Sequence, residues 1–551
     1  MLRISLCLLC CVTAADLISA QYPGGGVPPE YSVLTRTFVS SFGEDLANMG
    51  DINADGIQDF GFNYFDDQTA AVFSGADGTL LFEKIGRRSE IAISGIGDID
   101  ADGHDDILIS DFHYRLAGSG GYKADFFIIS GATGLDMRTW TGVGKSHGSV
   151  IGNAGDIDGD GTNDILVGEP LADIPGLSDV GAVYVYSGAS GQELLSVRGW
   201  HEDHFMGLEV AAAGDVNGDG TNDFLAYAGF NATNARGGAY AFSGVDGSLI
   251  HGWEGAARYD YHGRTIAAAG DINQDGFDDV IVGAPGVGVN GVHSGSAFVY
   301  SGATGGVLFR WDGLAQGDDF GFSVTNLGDF NGDGTNDVLI GAPGSNGSYY
   351  DSPGGAYIFS GSDGSVLDVI AGEGVAGELG TSVIGLGDVN GNGTLDYCLS
   401  SVFDHYPNYS PGFVSVFDSA FRDPYLLANR PTISASQGGD YQLFLDFPFR
   451  YAQEEYRVLL SGAGEGPTLA EIYLPLTIDS LFLNSARGVY PGSTSEMMGV
   501  LDGAGKASPV MTVPAGLSSA FIGKRIYFAA VAVVSAEQSA ASQAVSFEII
   551  P

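Results

Sequence analysis

Cysteine is scarce in this chain of 551 residues, which contains four. Three of them, Cys7, Cys10 and Cys11, lie within the first 20 residues. If that segment is removed as a secretion signal, only Cys398 remains and no internal disulfide can form. Cys398 follows a strand-like segment and is predicted to be a buried apolar residue that fills space in the core. The low count excludes a disulfide-stapled scaffold, so an exported protein of this kind needs another source of stability.

Basic residues are also few. The 22 lysines and arginines oppose 68 aspartates and glutamates, which gives a net charge of −46. Such a chain repels phosphate groups, so neither nucleic acid nor an anionic lipid surface is expected as a partner. The chain is 44% hydrophobic and its apolar residues are patterned, which argues against disorder. Much of the negative charge is therefore interpreted as counter-charge for bound cations.

Long apolar runs and helical periodicity are absent as well. The runs Ile4–Ala15 and Ile526–Val534 are shorter than the roughly 20 residues that cross a bilayer, so no membrane span is expected. Arg3, the first of these runs and the small residues up to Ala20 instead predict a secretion signal at residues 1–20, cleaved near Ala20. The protein is accordingly expected to be secreted and extracellular, or held at the cell surface.

What the sequence does contain is an acidic nine-residue loop that occurs seven times. The copies begin at residues 51, 98, 156, 215, 271, 329 and 388, and a spacing of roughly 50–60 residues indicates a repeat architecture. Each has Asp at positions 1 and 9, Asp or Asn at positions 3 and 5, and Gly at position 6. Ca²⁺ takes six to eight oxygen ligands, and the glycine allows a tight turn around it.

The loops therefore predict up to seven structural Ca²⁺ ions, each bound by the side chains at positions 1, 3, 5 and 9 and by the position-7 backbone carbonyl. The predicted ligands are Asp51, Asn53, Asp55, Ile57 and Asp59; Asp98, Asp100, Asp102, His104 and Asp106; Asp156, Asp158, Asp160, Thr162 and Asp164; Asp215, Asn217, Asp219, Thr221 and Asp223; Asp271, Asn273, Asp275, Phe277 and Asp279; Asp329, Asn331, Asp333, Thr335 and Asp337; and Asp388, Asn390, Asn392, Thr394 and Asp396.

Two other kinds of loop, the EF-hand and the simple Asp-Gly turn, fit the sequence less well. An EF-hand needs a bidentate Glu at position 12, whereas position 12 is apolar in every copy, so the EF-hand is excluded. Simple Asp-Gly turns would explain one copy but hardly seven. The last loop has only two carboxylates, Asp388 and Asp396, and is expected to bind most weakly.

Each repeat contains four runs of β-branched and aromatic residues, and these runs predict four short strands. The pattern is clearest in the sixth repeat, where Gly, Pro and Asp bound the runs. Seven units of four antiparallel strands predict an all-β, seven-bladed β-propeller, which leaves few exposed strand edges. The seventh repeat lacks a good fourth strand. The run Val33–Phe38 precedes the first loop and is predicted to supply that strand, closing the ring.

These repeats resemble FG-GAP repeats, the blade unit of the integrin α-chain amino-terminal propeller and of many secreted bacterial proteins. The Phe-Gly pair stands at Phe42-Gly43 and Phe320-Gly321, and in altered form at Tyr261-His262-Gly263 and Leu379-Gly380. Gly-Ala-Pro stands at 283–285 and 341–343, with Gly168-Glu169-Pro170 as a near match. The second repeat lacks a clear Phe-Gly, and the first, second, fourth and seventh lack Gly-Ala-Pro. The resemblance covers roughly residues 33–418 and implies the propeller fold; integrin propellers are similar in using the face opposite the metal loops for partners.

The composition changes near residue 422, where the acidic loops stop. The predicted organisation is a signal at 1–20, a linker at 21–32, the propeller at 33–421, a second linker at 422–431 and a small β-sandwich-like domain at 432–551. The last domain is assigned from short strands separated by Gly and Pro turns.

The predicted function is that of an extracellular protein- or glycan-binding adhesion module, a monomer in which calcium is structural. No catalytic residue and no organic cofactor are predicted, because no nucleophile or phosphate-loop signature occurs. Two alternatives stay open: an extracellular enzyme acting on polysaccharide from the propeller channel, and a cell-envelope structural protein. Aromatic loop residues mark the candidate partner face: Phe112 to Tyr114, Trp200 and His201, Tyr259 and Tyr261, Tyr349 and Tyr350, and His405 and Tyr406.

Overall fold

The computed structural model describes residues 31–34, 42–64, 69–85, 91–115, 121–142, 144–229, 235–345, 352–372, 378–391, 393–401 and 413–417, together with the strands between 425 and 550 given below. These parts of the chain are entirely strands, turns and bends. They accordingly contain no helix that is long and apolar enough to cross a membrane.

A single strand, β1 (Tyr31–Leu34), precedes the repeats. Blade 1 holds β2 (Phe42–Gly50), β3 (Asp59–Tyr64), β4 (Thr69–Phe73) and β5 (Leu80–Ile85); blade 2 holds β6 (Ile91–Gly97), β7 (Asp106–Arg115), β8 (Gly121–Ile129) and β9 (Asp136–Thr141); blade 3 holds β10 (Val150–Gly155), β11 (Asp164–Glu169), β12 (Ala182–Tyr186) and β13 (Glu193–Arg198); and blade 4 holds β14 (Met206–Gly214), β15 (Asp223–Ala228), β16 (Gly238–Phe242) and β17 (Leu249–Glu254).

The same four-strand unit continues through the last three repeats. Blade 5 holds β18 (Thr265–Gly270), β19 (Asp279–Ala284), β20 (Ser296–Tyr300) and β21 (Val307–Asp312); blade 6 holds β22 (Ser323–Gly328), β23 (Asp337–Gly341), β24 (Gly355–Phe359) and β25 (Val366–Ala371); and blade 7 holds β26 (Leu379–Gly387), β27 (Asp396–Ser401) and β28 (Phe413–Phe417).

Each blade is an antiparallel sheet whose strands pair in chain order, and the first strands of consecutive blades contact one another around a complete ring in which β26 meets β2. The all-β seven-bladed propeller predicted from the repeats is confirmed. The second strand of each blade lies between two neighbours, and its described side chains are buried, as in β11. The outer strand β13 is mostly exposed and buries Val197.

The ring is closed by the amino-terminal strand. Blade 7 has the order β1-β28-β27-β26, and β1 pairs antiparallel with β28 from Tyr31 opposite Val416 to Leu34 opposite Phe413. The closing strand predicted from the orphan run is therefore present, but it begins two residues before the predicted start. Residues 35–38 of that prediction lie outside the described residues.

Apolar side chains pack between blades. Seven clusters of buried residues each combine side chains from two consecutive blades. At the closure, Phe60 and Phe62 of blade 1 belong to one cluster with Leu386 and Cys398 of blade 7. A fully buried large apolar side chain contributes about 1.5–3 kcal/mol to the free energy of unfolding. Cys398 is fully buried, as predicted, and burial raises the pKa of its thiol.

The chain divides into two compact units, and the second comprises Ser419–Pro551. Its described strands form one five-stranded sheet, one six-stranded sheet and a two-stranded pair. They are β29 (Tyr425–Ala428), β30 (Thr432–Ser434), β31 (Gly439–Asp446), β32 (Glu455–Ser461), β33 (Thr468–Leu469), β34 (Ile472–Tyr473), β35 (Thr494–Ser495), β36 (Met498–Val500), β37 (Lys506–Ala507), β38 (Val510–Val513), β39 (Arg525–Ser535), β40 (Gln538–Ala541) and β41 (Val545–Ile550).

Candidate metal centres and the opposite face

Every acidic loop connects the first and second strands of a blade. In blade 3, β10 ends at Gly155, β11 begins at Asp164, and these two residues pair across the base of the loop. The position-9 aspartate is thus the first residue of the second strand, at the root of each loop. The seven loops and the turns between third and fourth strands lie together, on what we call the metal face.

The position-1 carboxylate organises the loop around itself. In blade 3, Oδ1 of Asp156 accepts hydrogen bonds from the backbone N–H groups of Gly159 (2.8 Å) and Asp160 (3.1 Å), and Oδ2 accepts one from Gly161 (2.8 Å). Side chains at positions 3 and 5 continue the pattern, since Asp158 accepts from the N–H of Asp160 at 3.1 Å and Asp160 accepts from the N–H of Thr162 at 2.9 Å. These bonds turn the carboxylates towards the inside of the loop.

The position-9 carboxylate joins the loop to the rest of the blade. Asp164 is fully buried; its Oδ2 accepts N–H groups from Ile157 (2.8 Å) and Asp158 (3.2 Å) in the loop, and its Oδ1 accepts that of Gly188 (3.0 Å) in the turn between the third and fourth strands. Burial raises the pKa of this carboxyl group. The pKa reaches about 6 for its counterparts Asp59, Asp106, Asp223, Asp279 and Asp337.

Two loops bring three carboxylates to one point. Oxygen atoms of the position-1, position-3 and position-9 aspartates lie within 4.8 Å of one another in the second loop (Asp98, Asp100, Asp106) and in the third (Asp156, Asp158, Asp164). The position-5 aspartates are not among the groups that meet this criterion in the described residues. Such concentrated negative charge, partly buried, is costly without a cation. An all-oxygen donor set of this kind fits a hard divalent cation such as Ca²⁺.

The other loops repeat these bonds with Asn at position 3. In the first, fourth, fifth and sixth loops the position-1 carboxylate accepts the N–H groups of positions 5 and 6, as Asp271 does from Asp275 and Gly276. In the sixth loop, Asp333 also accepts from Ser362 Oγ (2.7 Å). In the seventh, Asp388 accepts from Gly393 (2.7 Å) and Asp396 from Val389 (2.9 Å), whereas Asn392 lies outside the described residues. The backbone N–H of position 7 donates to the position-5 carboxylate, as Thr162 does to Asp160. Metal binding by the position-7 backbone carbonyl stays a prediction.

Sequence reasoning missed two positions of the loop. Position 4 has a left-handed backbone in all seven copies, with φ between 58° and 76°, although it is Ala or Gln in three of them. Position 8 contacts the preceding blade. Its side chain is Asp105 in the second loop and Asp278 in the fifth, and each accepts the backbone N–H of the position-1 residue one blade earlier. A comparison of the seven copies could have singled out position 4, because Gly occupies it in four of them.

The remaining connections form the opposite face, which we call the loop face. There the second-to-third loop of blade 5 meets the connection to blade 6 through backbone bonds from Gly317 to Val292 and from Asp319 to His293, both 3.0 Å. Eight non-glycine residues of this face have positive φ, an uncommon backbone that clusters at functional sites. They are Asp179, Asp203, Phe205, Tyr259, Tyr261, His293, Asp319 and Glu378.

The loop face also exposes large apolar side chains. The exposed fraction is 70% for Leu314, 67% for Val292, 53% for Val289, 43% for Tyr259 and 39% for Trp200. These five residues come from the connections of blades 3 to 6. Of the aromatic residues predicted to mark this face, Trp200, His201 and Tyr259 are exposed and Tyr261 is half-buried. The side chains at 112–114 are not described, and 349–350 and 405–406 lie outside the described residues.

The Phe-Gly positions lie below the loop face, inside the blades. Phe320, His262 and Leu379 are buried there, each followed by a glycine with φ between 82° and 91°. His147, followed by Gly148 with a φ of 84°, occupies the same position in blade 3, a match that was not expected from the sequence. Within blade 3, His147 Nδ1 lies 3.5 Å from Glu169 Oε2.

A family model described as FG-GAP repeat matches residues 148–186, 262–300 and 320–359, which belong to blades 3, 5 and 6. The chain is 29% identical to integrin alpha-5 of Xenopus laevis over 242 residues, 40% of this chain and 22% of the integrin. It is 32% identical to integrin alpha-3 of Cricetulus griseus over 194 residues, 31% of this chain and 18% of that one. The matches thus span about a fifth of each integrin chain.

Among solved structures, the fold is similar to that of BBS1N in a crystal structure with ARL6DN. The TM-score is 0.44 at 10% identity, over 70% of this chain and 95% of that chain.

Proposed function

We propose that this chain, in which three blades match FG-GAP repeats and which is similar in part to integrin α chains, is an extracellular binding or adhesion module stabilised by calcium. The observation that carries the proposal is the division of the propeller into two faces. One face gathers the acidic loops, and the other carries the exposed aromatic side chains Trp200 and Tyr259 on a rigid scaffold. Binding residues are disproportionately found on loops held in this way.

Calcium is proposed for the metal face because of its donor chemistry. Each loop offers four oxygen-bearing side chains, at positions 1, 3, 5 and 9. The position-9 carboxylate is buried in all seven loops, and burial raises its pKa in the first six. A divalent cation would be held by positions 1, 3, 5 and 9 with the position-7 carbonyl, and when bound it would supply the positive charge that these groups lack. The chain's own hydrogen bonds already orient positions 1 and 9. The metal is therefore structural in this proposal and performs no reaction.

The partner is proposed to bind the loop face and to be an extracellular protein or glycan. Aromatic and large apolar side chains supply most of the energy of such interfaces, and those of the loop face are exposed. A net charge of −46 makes nucleic acid and anionic membranes unfavourable partners. Secretion through the segment 1–20 and a monomeric state belong to the same proposal.

Calcium binding is tested first, by calorimetric titration of the purified chain with Ca²⁺. Close to seven ions are expected, with the weakest site at Asp388, because that loop has two carboxylates in place of three or four. Fewer than four bound ions at millimolar calcium would contradict the metal role.

Partner binding is tested on glycan arrays and on cell surfaces with a matched pair of variants. Leu314 on the loop face and Leu135 on the metal face are exposed to 70% and 69%. Leu314→Ala combined with Tyr259→Ala should reduce binding tenfold or more, by the roughly 2 kcal/mol of an interface hot spot. Leu135→Ala should leave it unchanged. Equal binding by both variants would contradict the assignment of the face, and release of polysaccharide fragments would favour the enzyme alternative.

A further inference from the structure

The metal loops are joined to one another across blade boundaries, most closely at two places. Between blades 4 and 5, Oδ2 of Asp278 accepts the backbone N–H of Asp215 at 2.8 Å, and the N–H of Asp278 donates to the carbonyl of Asp215 at 3.0 Å. Between blades 1 and 2, Asp105 makes the same two bonds with Asp51, at 2.6 and 3.0 Å. Each pair links position 8 of one loop to position 1 of the preceding loop, and we call it a position-8 clamp.

Each clamp connects two candidate metal sites through adjacent residues. Asp215 is the position-1 residue of the fourth loop, and its carboxylate accepts the N–H groups of Asp219 (3.0 Å) and Gly220 (2.8 Å). Asp278 is followed by Asp279, the buried position-9 residue of the fifth loop, which accepts from Ile272 at 3.0 Å. The backbone of one site is therefore held by the residue next to a ligand of the other.

The glycine before position 1 makes room for the clamp. A Cβ atom on Gly214 would lie 2.1 Å from Oδ2 of Asp278, and one on Gly50 would lie 2.0 Å from Oδ2 of Asp105. Both glycines also have a positive φ, which is 75° at Gly214 and 74° at Gly50. A side chain at either position would displace the clamping carboxylate.

At three other blade boundaries position 8 is Asn and makes a single bond. Asn163 donates to the carbonyl of Ile96, a strand residue, at 3.0 Å. Asn222 donates to the Asp156 carbonyl at 3.4 Å, and Asn336 donates to the carbonyl of Ala269, a strand residue, at 3.3 Å. In the seventh loop the residue is Leu395, which packs near Gly328 and has no polar group in its side chain. The boundaries of the ring therefore differ in a way that allows comparison. Two have reciprocal clamps, three have single bonds from Asn, and the boundary between blades 6 and 7 has an apolar contact.

We propose that the position-8 aspartates couple neighbouring cation sites, so that the fourth and fifth loops bind Ca²⁺ cooperatively, as do the first and second. This inference rests on the calcium role proposed above. Ordering the fourth loop around an ion fixes Asp215, and the clamp then holds Asp278 and the root of the fifth loop in place. The second ion meets a loop that has less conformational freedom to lose, which is positive coupling. By linkage the effect is reciprocal between the two sites.

The test is a calorimetric mutant cycle on the full chain titrated with Ca²⁺. Asp275→Ala removes an exposed carboxylate from the fifth loop; it should eliminate one site and weaken a second by about fivefold or more, the lower end of typical coupling. Asp160→Ala, in the third loop, is the control and should eliminate one site only. Asp278→Leu, which installs the residue found at position 395, should keep the number of sites, and Asp275→Ala made in that background should then eliminate one site alone.

Melting temperatures separate coupling from a simple structural contact. If Asp278 only stabilised the fold, Asp278→Leu would lower the melting temperature equally with calcium and with chelator. Coupling predicts instead that the rise produced by calcium is smaller in this variant. A wild-type chain that binds no calcium would overturn the metal role and the coupling together. A wild type that binds calcium while Asp275→Ala and Asp160→Ala each lose a single site would overturn the coupling alone.

Discussion

The left-handed backbone at position 4 of the loops determines which residues are favourable there. Ala101 has a φ of 60°, and Gly332, at the same position of the sixth loop, has a φ of 76°. A Cβ atom built on Gly332 meets nothing within 4 Å, so the cost of a side chain is conformational rather than steric. Non-glycine residues in this region cost about 1 kcal/mol or more relative to glycine.

Exchanging these residues should therefore change stability in opposite directions. Ala101→Gly is expected to raise the free energy of unfolding by up to about 1 kcal/mol, and Gly332→Ala is expected to lower it by a similar amount. Denaturant unfolding in saturating calcium measures both. A stabilising Gly332→Ala would contradict the argument.

His262 gives the propeller a dependence on pH. The ring is buried, and its Nε2 lies 3.1 Å from the hydroxyl oxygen of Tyr300. Burial lowers the pKa of His262 from 6.5 to about 4. Because the folded-state pKa lies below that of the unfolded chain, the stabilisation is complete above pH 6.5 and is lost as the pH falls towards 4.

Between pH 7 and pH 5, this residue should remove about 2 kcal/mol from the free energy of unfolding. The variant His262→Phe has at this position the residue found at position 320 of blade 6. Between pH 7 and pH 5 its free energy of unfolding should fall by about 2 kcal/mol less than that of the wild type. Unfolding curves at the two pH values in saturating calcium provide the measurement. Parallel losses in the variant and the wild type would show that His262 does not carry the effect.

At the scale of the element, the position-9 aspartate ties two connections of a blade together. Asp279 accepts backbone N–H groups from Ile272 in the metal loop and from Gly302 in the third-to-fourth turn, both at 3.0 Å. Asp279→Asn would turn an amide N–H₂ towards one of these donors and leave it without an acceptor. A buried unsatisfied group costs about 1–3 kcal/mol.

The loss should therefore appear even in chelator, where calcium plays no part. Asp275→Asn, at an exposed position of the same loop, removes the same charge and should change the metal-free stability by less than about 0.5 kcal/mol. Thermal unfolding of both variants without calcium separates the two roles. Equal destabilisation would argue against a structural role for position 9.

The closing strand is the other element with a separable role. Replacing residues 31–34 by a Gly-Ser segment should open blade 7, because β1 supplies the partner of β28. Deleting 21–30 leaves that pairing intact and is the control. A melting temperature lowered by several degrees in the first variant alone is expected; equal melting temperatures would exclude closure by β1.

For the whole molecule, the metal face should determine stability. An ion that binds only the folded state at ten times its Kd contributes about 1.4 kcal/mol, so seven independent sites would contribute roughly 10 kcal/mol. That is comparable to the stability of an ordinary domain, and residues 21–551 contain a single cysteine, Cys398, and so no internal disulfide.

Chelation should accordingly lower the melting temperature of the propeller by tens of degrees and make residues 33–418 sensitive to protease. The carboxy-terminal unit has none of the acidic loops and should remain as a fragment that begins near residue 422. Calorimetry and limited proteolysis, each with calcium and with chelator, measure the two effects. A chelated protein that melts and digests like the calcium-loaded one would show that the loops act only as turns.

The sequence by itself determined the repeat, the strand order within each blade, the number of blades and the closing strand. These follow from local sequence patterns, each of which can be recognised within a few residues. The patterns are the alternation of apolar and polar residues in strands, the Asp-Gly turns and the lack of a fourth strand in the last repeat. The candidate ligands at positions 1, 3, 5 and 9 come from the same local pattern.

Only the tertiary structure decided which of these residues meet. Asp164 and Gly188 are joined across a whole hairpin, and Asp278 reaches Asp215 across a blade boundary. Such pairs depend on the twist and packing of neighbouring sheets, which bring together residues far apart in the chain. The same is true of the loop face, where Leu314, Val292 and Tyr259 share a surface because three separate connections end there. Ring closure sets these distances, and no single repeat contains the information.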